Sequence, residues 1–200
     1  MFELIHNLLN GLAVSFDLPI LDWIAANLWC PVLDFLMPII TMFGDGGIFW
    51  IAISVILMIT KKHRKTGLGM AFALIMGLLV CNIILKPGVA RIRPYDFQMQ
   101  YFAKEITLIA GGMHDFSFPS GHTIASFEAC TVLMLGNKKF GIPATILAIA
   151  IAFSRLYLYL HYPTDVITSI VLGTIFGIIG YGLAQKCNFS NPFSKGKYQA

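Results

Sequence analysis

The sequence predicts an all-α protein: a polytopic transmembrane helix bundle with five membrane spans, or six under a second interpretation, and interfacial helices at its N-terminus. Two observations predict this fold class. Hydrophobic residues make up 57% of the 200-residue chain and charged residues only 12%, and the mean hydropathy is +0.75. The apolar residues also form runs close to the ~20 residues that a helix needs to cross a bilayer. This composition excludes a soluble globular domain and indicates a single helical bundle.

Five apolar segments are the expected spans. The first ends at Thr60 and starts near Pro38, where prolines and aspartates blur the boundary. The other four cover residues 67–85, 121–135, 141–158 and 166–183. These spans are short, at roughly 15 to 20 residues, and a thinned bilayer or polar flanking ends can accommodate them.

Residues 1–37 lack a continuous apolar run, because aspartates and prolines interrupt them. Trp23 and Trp29 have the spacing of an interfacial aromatic belt, so we expect two amphipathic helices on the outer membrane surface. In the second interpretation residues 20–42 are a sixth span with a cytoplasmic N-terminus, which would bury two aspartates without an inner-side Lys or Arg. The expected domains are an interfacial region, a transmembrane domain and a cytoplasmic tail, at residues 1–37, 38–186 and 187–200.

The basic residues predict the topology. Lys and Arg cluster in residues 61–65, at residues 138–139 and from residue 186 onwards. Basic loops stay on the cytoplasmic side of a membrane. Loops 86–120 and 155–165 are then expected on the extracytoplasmic side of the plasma membrane, although their own cations argue mildly against it. We expect those cations to bind a ligand rather than to set the topology, as the motifs that contain them indicate.

Three clusters of polar residues occur in these loops and at the adjoining helix ends: KPGVARIRP at 86–94, PSGH at 119–122 and SRLYLYLHYPTD at 154–165. Charge within an apolar chain is costly unless it has a function. A phosphoryl group needs several donors around its oxygens, and Lys86 and Arg93 provide a point charge and a planar fork. The first cluster therefore predicts phosphate binding.

The second cluster opens a predicted helix. Unpaired N–H groups and a partial positive charge at a helix start favour an anion, and Gly121 lets it approach the backbone next to Ser120. A plain N-cap serine followed by a solvated His122 is the alternative. The third cluster weakens that alternative, because Asp165 can accept a hydrogen bond from one nitrogen of His161 and leave the other free to attack phosphorus.

Together the clusters resemble the three-part signature of the type-2 phosphatidic acid phosphatase superfamily of membrane lipid phosphatases. They fit the patterns K-x6-R-P, P-S-G-H and S-R-x5-H-x3-D without substitution, in that order and with helices between them. The resemblance implies a phosphomonoesterase or diphosphatase that forms a phosphohistidine intermediate and needs neither a metal nor another cofactor. Activity is therefore expected to persist in excess chelator.

The resemblance also implies a role for each site residue. His161 would be the nucleophile, Asp165 its orienting partner and His122 the general acid that protonates the leaving oxygen. The phosphoryl oxygens would be bound by Lys86, Arg93, Ser120, Gly121 and Arg155.

Three charged residues near the clusters are ambiguous. We expect Arg91 to be solvated rather than an extra head-group contact, and Asp115 to be a solvated loop residue rather than a substrate contact. Glu128, in the third predicted span, is expected to pack against a neighbouring helix, although ionisable groups in membrane spans are often functional.

The resemblance and the outward topology predict a lipid substrate whose phosphate lies at the head-group level of the membrane. Undecaprenyl diphosphate is the expected substrate, because the family's role in wall synthesis places that lipid on the outer face. Phosphatidylglycerol phosphate, phosphatidic acid and diacylglycerol pyrophosphate are alternatives. A non-catalytic lipid-phosphate binder or transporter would need cations but no nucleophile, so the two histidines and Asp165 argue against it. The vanadate-dependent haloperoxidases of this superfamily are soluble, so the five predicted spans argue against a haloperoxidase. No basic tract with interleaved aromatics indicates nucleic acid, and the sequence predicts no oligomeric state.

Overall fold

In the computed structural model, which describes residues 1–188, every regular element is helical. The helices are α1 Phe2–Leu12, α2 Leu18–Leu28, α3 Pro31–Met42, α4 Ile48–Ile59, α5 Arg64–Gly77, α6 Lys86–Val89, α7 Pro94–Phe102, α8 Gly121–Gly136, α9 Lys138–Tyr157 and α10 Pro163–Lys186. Turns of π-helix over Ala13–Asp17 and Leu78–Leu85 keep α1 continuous with α2, and α5 with α6. The all-α fold class is confirmed for these residues. The rest of the predicted tail, with Lys195 and Lys197, lies outside them.

Helix α8 lies at the centre of the bundle and packs against α5, α9 and α10, while α4 packs against α5. Small residues bring these helices close together: a Cβ on Gly180 of α10 would lie only 2.5 Å from the carbonyl oxygen of Gly69 in α5. The core between the helices includes Trp50, Met70 and Ile151. Large apolar side chains are also exposed along the outer faces, as expected of a bundle that is surrounded by lipid.

Five helical segments are long and apolar enough to cross a membrane: Phe2–Leu28, Pro31–Ile59, Arg64–Phe102, Lys138–Tyr157 and Pro163–Lys186. Their number agrees with the five predicted spans, but their membership differs. Helix α8, the third predicted span, has only 16 residues and is too short for this set, because the chain leaves the helix at Asn137. The segment from α1 to α2 qualifies by length and composition, although we expect it on the membrane surface.

Helices α1 and α2 pack against the end of the bundle that carries the three clusters. Leu9 in α1 packs with Val89 and Phe118, and Leu21 in α2 belongs to the same apolar cluster as Tyr159. These contacts join the N-terminal segment to the loops around the clusters. The location of this segment on the membrane surface stays a prediction.

The alternative span over residues 20–42 is not one helix. The backbone is extended at Trp29, with ψ of 120°, and at Cys30, with φ of −156°, and Pro31 then begins α3. Proline lacks an N–H group and suits the first position of a helix, so the local sequence explains this boundary.

The basic turns lie at the opposite end of the bundle from the three clusters. The Nζ atom of Lys65 donates a hydrogen bond to the carbonyl oxygen of Gln185 at 2.9 Å, and the ring of His63 packs edge-on against Phe140. The turn before α5, the start of α9 and the end of α10 are therefore neighbours. This separation of the basic turns from the clusters is what the predicted topology requires.

Candidate active site

The three clusters meet around one cavity of about 660 Å³. Five of the expected site residues line it: Lys86, Arg93, Gly121, His122 and His161. Beyond them the cavity extends between α4, α5 and α8, where its walls are mostly apolar and include Ile51, Leu74 and Ile124. Residues that are far apart in the chain thus share one chamber with a polar end and an apolar end.

His161 occupies the short turn between α9 and α10, with only 1% of its surface exposed. Its Nδ1 atom is 3.5 Å from Oδ2 of Asp165 and 3.4 Å from Oγ of Ser117. Its Nε2 atom is 3.3 Å from Nη1 of Arg93. Burial and then the neighbouring cations, Arg93 foremost, hold the pKa of His161 well below its usual value of 6.5. A neutral ring whose Nδ1–H faces Asp165 has its Nε2 lone pair available for attack, as a nucleophile requires.

Asp165 is fully buried in the first turn of α10. Its carboxylate accepts a hydrogen bond from the hydroxyl of Ser117 and, at 3.1 Å, one from the backbone N–H of Tyr162, the N-cap residue of α10. The helix start and the hydroxyl therefore hold this carboxylate beside the imidazole of His161. Ser117 lies just before the PSGH motif and was missed, because no sequence pattern marks it.

His122 lies in the first turn of α8. Its Nε2 atom is 2.7 Å from Oδ1 of Asp45, a residue of the 3-10 turn that precedes α4. Gly44 makes room for the ring, because a Cβ there would lie 2.6 Å from Cδ2 of His122. No motif predicts this pairing, since it joins two elements that are far apart in the chain.

Lys86 and Arg93 both pair with Asp115. The Nζ atom of Lys86 is 2.5 Å from one carboxylate oxygen of Asp115, and the other oxygen accepts a hydrogen bond from Nη2 of Arg93. Burial alone would raise the pKa of Asp115, but the hydrogen bonds and charges of Lys86 and Arg93 hold it well below its usual range. The Asp115 side chain is 47% exposed, as expected of a solvated loop residue, but its carboxylate also bridges the two cations that the first motif assigns to phosphate.

Ser120 and Arg155 lie behind the cavity wall rather than on its surface. Ser120 caps α8, and the hydroxyl of Thr123 donates to its Oγ atom at 3.0 Å. Arg155 is 2% exposed and donates from Nη1 to the hydroxyl of Thr41 at 2.7 Å. The charge of Arg155 still acts on His161. A direct contact of Ser120 or Arg155 with phosphate stays a proposal.

Two polar side chains of the bundle interior also line the cavity. Asn82 lies one turn before Lys86, and a Cβ on Gly121 would lie 3.1 Å from its Oδ1 atom. Glu128 is 1% exposed and packs against Gly77, as expected for a glutamate between helices. Its Oε1 atom has no hydrogen-bond partner among the described residues.

Arg91 is fully buried, so the expectation of a solvated side chain is wrong. It donates from Nη1 to Oδ1 of Asp165 at 2.6 Å, and its guanidinium carbon lies 3.6 Å from the centre of the Tyr162 ring. A buried arginine needs such partners, but they are remote in sequence and no local pattern indicates them.

No metal site is evident in the part of the chain that the structure describes. His, Cys, Asp and Glu side chains between residues 1 and 188 do not gather in groups of three or more that could hold a metal ion. The positive charge around the cavity comes from Lys86, Arg93 and Arg155.

Comparison with known proteins identifies a family and several relatives. The signature of the PAP2 superfamily matches residues 66–189. The chain is 31% identical to the undecaprenyl-diphosphatase of Sulfolobus acidocaldarius over 143 residues. This alignment covers 71% of this chain and 66% of that protein's length. It is 29% identical over 167 residues to the lipid A 4'-phosphatase of Bacteroides thetaiotaomicron, across 78% of this chain and 72% of that protein.

The fold agrees with that of a solved membrane protein. A PAP2-type phosphatidylglycerolphosphate phosphatase from Bacillus subtilis superposes on this chain with a TM-score of 0.71, over 95% of each chain and at 24% identity. The cavity with its three motifs, the family match and the shared fold lead to one conclusion: the chain belongs to the PAP2 superfamily and is a multi-pass membrane phosphatase.

Proposed function

We propose that this phosphatase converts undecaprenyl diphosphate to undecaprenyl phosphate and inorganic phosphate on the extracytoplasmic face of the plasma membrane, through a phosphohistidine at His161. The observation that carries the proposal is the continuity of the cavity. Its polar end contains the motif residues, and its apolar end lies inside the membrane-spanning part of the bundle.

The cavity has the dimensions and lining of a lipid site. From the phosphate-binding end at Lys86 it reaches Met58 and Ala71, close to the basic turn between α4 and α5. The helix from Ala71 to Lys86 rises ~22 Å, at about 1.5 Å per residue. This distance is most of the ~30 Å hydrocarbon thickness of a bilayer. Apolar walls over such a length favour a hydrocarbon chain whose phosphate lies between the cations.

In the proposed reaction, Nε2 of His161 attacks the terminal phosphorus, and the bond from that phosphorus to the bridging oxygen breaks. His122 donates a proton to the lipid phosphate that leaves. Water then attacks the phosphohistidine and gives a proton back to His122. This step releases inorganic phosphate and restores the neutral ring of His161, so atoms and charges balance over one turnover.

The cations stabilise the charge on the transferring phosphoryl group. Lys86, Arg93 and Gly121 line the cavity, so the two side chains and a backbone N–H group can contact the phosphoryl oxygens. Ser120 keeps the first turn of α8 in place, and Arg155 adds charge from behind the wall. These cations supply what a divalent metal supplies elsewhere, so we infer a metal-independent reaction.

Two observations favour undecaprenyl diphosphate over other lipid phosphates. The Sulfolobus relative is an undecaprenyl-diphosphatase, and the basic turns lie away from the cavity, which favours an outward site. The lipid A 4'-phosphatase relative shows that similar chains act on other lipids. Phosphatidylglycerol phosphate, phosphatidic acid and diacylglycerol pyrophosphate are therefore included in the test.

The test measures phosphate release by the purified protein from these lipids and a lipid A phosphate, with and without EDTA, for wild type and His161→Ala. We expect the highest kcat/KM with undecaprenyl diphosphate, no effect of EDTA, and no release by the variant. Faster phosphate release from another lipid would contradict undecaprenyl diphosphate as the substrate. Loss of activity in EDTA would overturn the metal-independent reaction.

A second experiment tests the role of the cavity. Ala71→Trp fills its apolar end, so the KM for undecaprenyl diphosphate should rise about 10-fold, while hydrolysis of a short soluble prenyl diphosphate is unchanged. Ile149→Trp, on the exposed face of α9, is the matched control. Equal KM values for the two variants would show that the lipid chain lies elsewhere.

A further inference from the structure

A buried ion network joins the N-terminal segment to the residue that orients His161. Asp17, Arg91 and Asp165 are each fully buried. Arg91 donates from Nη1 to Oδ1 of Asp165 at 2.6 Å, and from Nη2 to Oδ2 of Asp17 at 2.7 Å. The same Nη2 donates to the carbonyl oxygen of Leu9 at 2.7 Å. One guanidinium therefore bridges two carboxylates from opposite ends of the chain.

Asp17 also holds the start of α10. Its Oδ1 atom accepts a hydrogen bond from the backbone N–H of Thr164 at 2.9 Å, and its Oδ2 atom accepts one from the Thr164 hydroxyl at 2.8 Å. Thr164 precedes Asp165 in the first turn of α10, where backbone N–H groups have no partner within the helix. A carboxylate from another segment thus caps the helix that carries Asp165, where negative charge is favourable.

We infer that Asp17 and Arg91 are positioning residues of the phosphatase site, so that the N-terminal segment completes the site. The inference rests on the proposed role of His161 as nucleophile. Asp165 has to keep Oδ2 beside Nδ1 of His161, and its other oxygen is bound by Arg91. Arg91 fixes the plane of that carboxylate, and Asp17 fixes Arg91.

The charge of Asp17 has a second effect. A guanidinium that is 2.6 Å from Asp165 draws negative charge away from the His161 ring and weakens the ring as a nucleophile. Asp17 opposes this effect, because it neutralises the guanidinium in a buried place where solvent screens little. Asp17 lies outside residues 66–189, so the family signature does not contain it.

The experiment uses the full-length enzyme with Asp17→Asn and Asp17→Glu. We expect Asp17→Asn to lower kcat and the rate of phosphoenzyme formation about 10-fold or more, with KM within about 2-fold of wild type, because the phosphate-binding cations are untouched. Asp17→Glu, which keeps the charge, should recover part of the loss. Glu3→Gln is the matched control, since Glu3 is an exposed acid of α1 in the same N-terminal segment, and it should retain wild-type kcat.

Arg91→Lys is measured in the same way and decides the question if Asp17→Asn does not fold. Lysine keeps the charge but cannot bridge two carboxylates in one plane, so kcat should fall while KM stays near wild type. An Asp17→Asn or Arg91→Lys enzyme with wild-type kcat, or with a raised KM alone, overturns the positioning role. His161→Ala separates the two claims: if it retains activity, the proposed mechanism itself fails.

Discussion

At the scale of single residues, protein acceptors hold the cations of the site in place. Arg93 donates from Nη1 to the carbonyl oxygen of Leu160 at 2.7 Å and from Nε to the carbonyl oxygen of Asp115 at 2.9 Å. A buried guanidinium costs free energy unless its donors find acceptors, so these bonds stabilise Arg93 in the cavity wall. The Asp115 carboxylate also accepts a hydrogen bond from Nη2 of Arg93, a donor that a phosphoryl group would use as well.

Asp115→Asn removes a negative charge that competes with phosphate for Lys86 and Arg93. We expect the inhibition constant of inorganic phosphate to fall by about 3- to 10-fold, because phosphate no longer displaces a carboxylate. Product inhibition of the steady-state reaction measures this constant. Glu105→Gln, an exposed acid in the same loop, should leave it unchanged. Weaker inhibition in Asp115→Asn would mean that the carboxylate orients the cations and does not compete.

At the scale of helices, each motif lies at a helix end whose position depends on close packing. Helix α10 approaches α8 because Gly173 has no side chain: a Cβ there would lie 2.8 Å from the carbonyl oxygen of Ile124. The same helix approaches α5 at Gly180. These contacts set the register of α10 against its neighbours, and the register places Asp165 and the turn with His161 at the cavity.

Gly180→Ala should destabilise the bundle, because its Cβ would lie 2.5 Å from the carbonyl oxygen of Gly69 and the backbones would have to separate. We expect a loss of about 1–3 kcal/mol, seen as a lower Tm in detergent. Gly182→Ala is the matched control, since no heavy atom lies within 4 Å of a Cβ there. Equal Tm values for the two variants would contradict the tight contact.

At the scale of the whole molecule, the sequence predicts the motif residues better than their surroundings. His122, His161 and Asp165 belong to patterns with fixed spacing, so the sequence marks them as candidate site residues without knowledge of the fold. Arg91 and Asp115 could not be assigned, because the contacts that decide their roles are remote; Arg91 and Asp17 are 74 residues apart. Hydropathy also does not distinguish an apolar helix that crosses the membrane from one that lies on it.

Cysteine labelling tests the sidedness of the molecule. With the native Cys30 and Cys187 replaced by serine, Glu105→Cys should react with a membrane-impermeant maleimide in intact cells. Lys62→Cys, in the basic turn, should react only after the cells are opened, because basic loops stay inside. Reversed labelling would place the site on the cytoplasmic side and remove one of the two observations that favour undecaprenyl diphosphate.

The proposed mechanism requires that His161 carries the phosphoryl group during turnover. The most direct measurement mixes the enzyme with undecaprenyl diphosphate labelled in its terminal phosphate, quenches the reaction within one turnover at alkaline pH, and locates the label by mass spectrometry. We expect an acid-labile phosphate on His161, and none in a folded His161→Ala enzyme. Label on another residue, or turnover without any labelled protein, would contradict it.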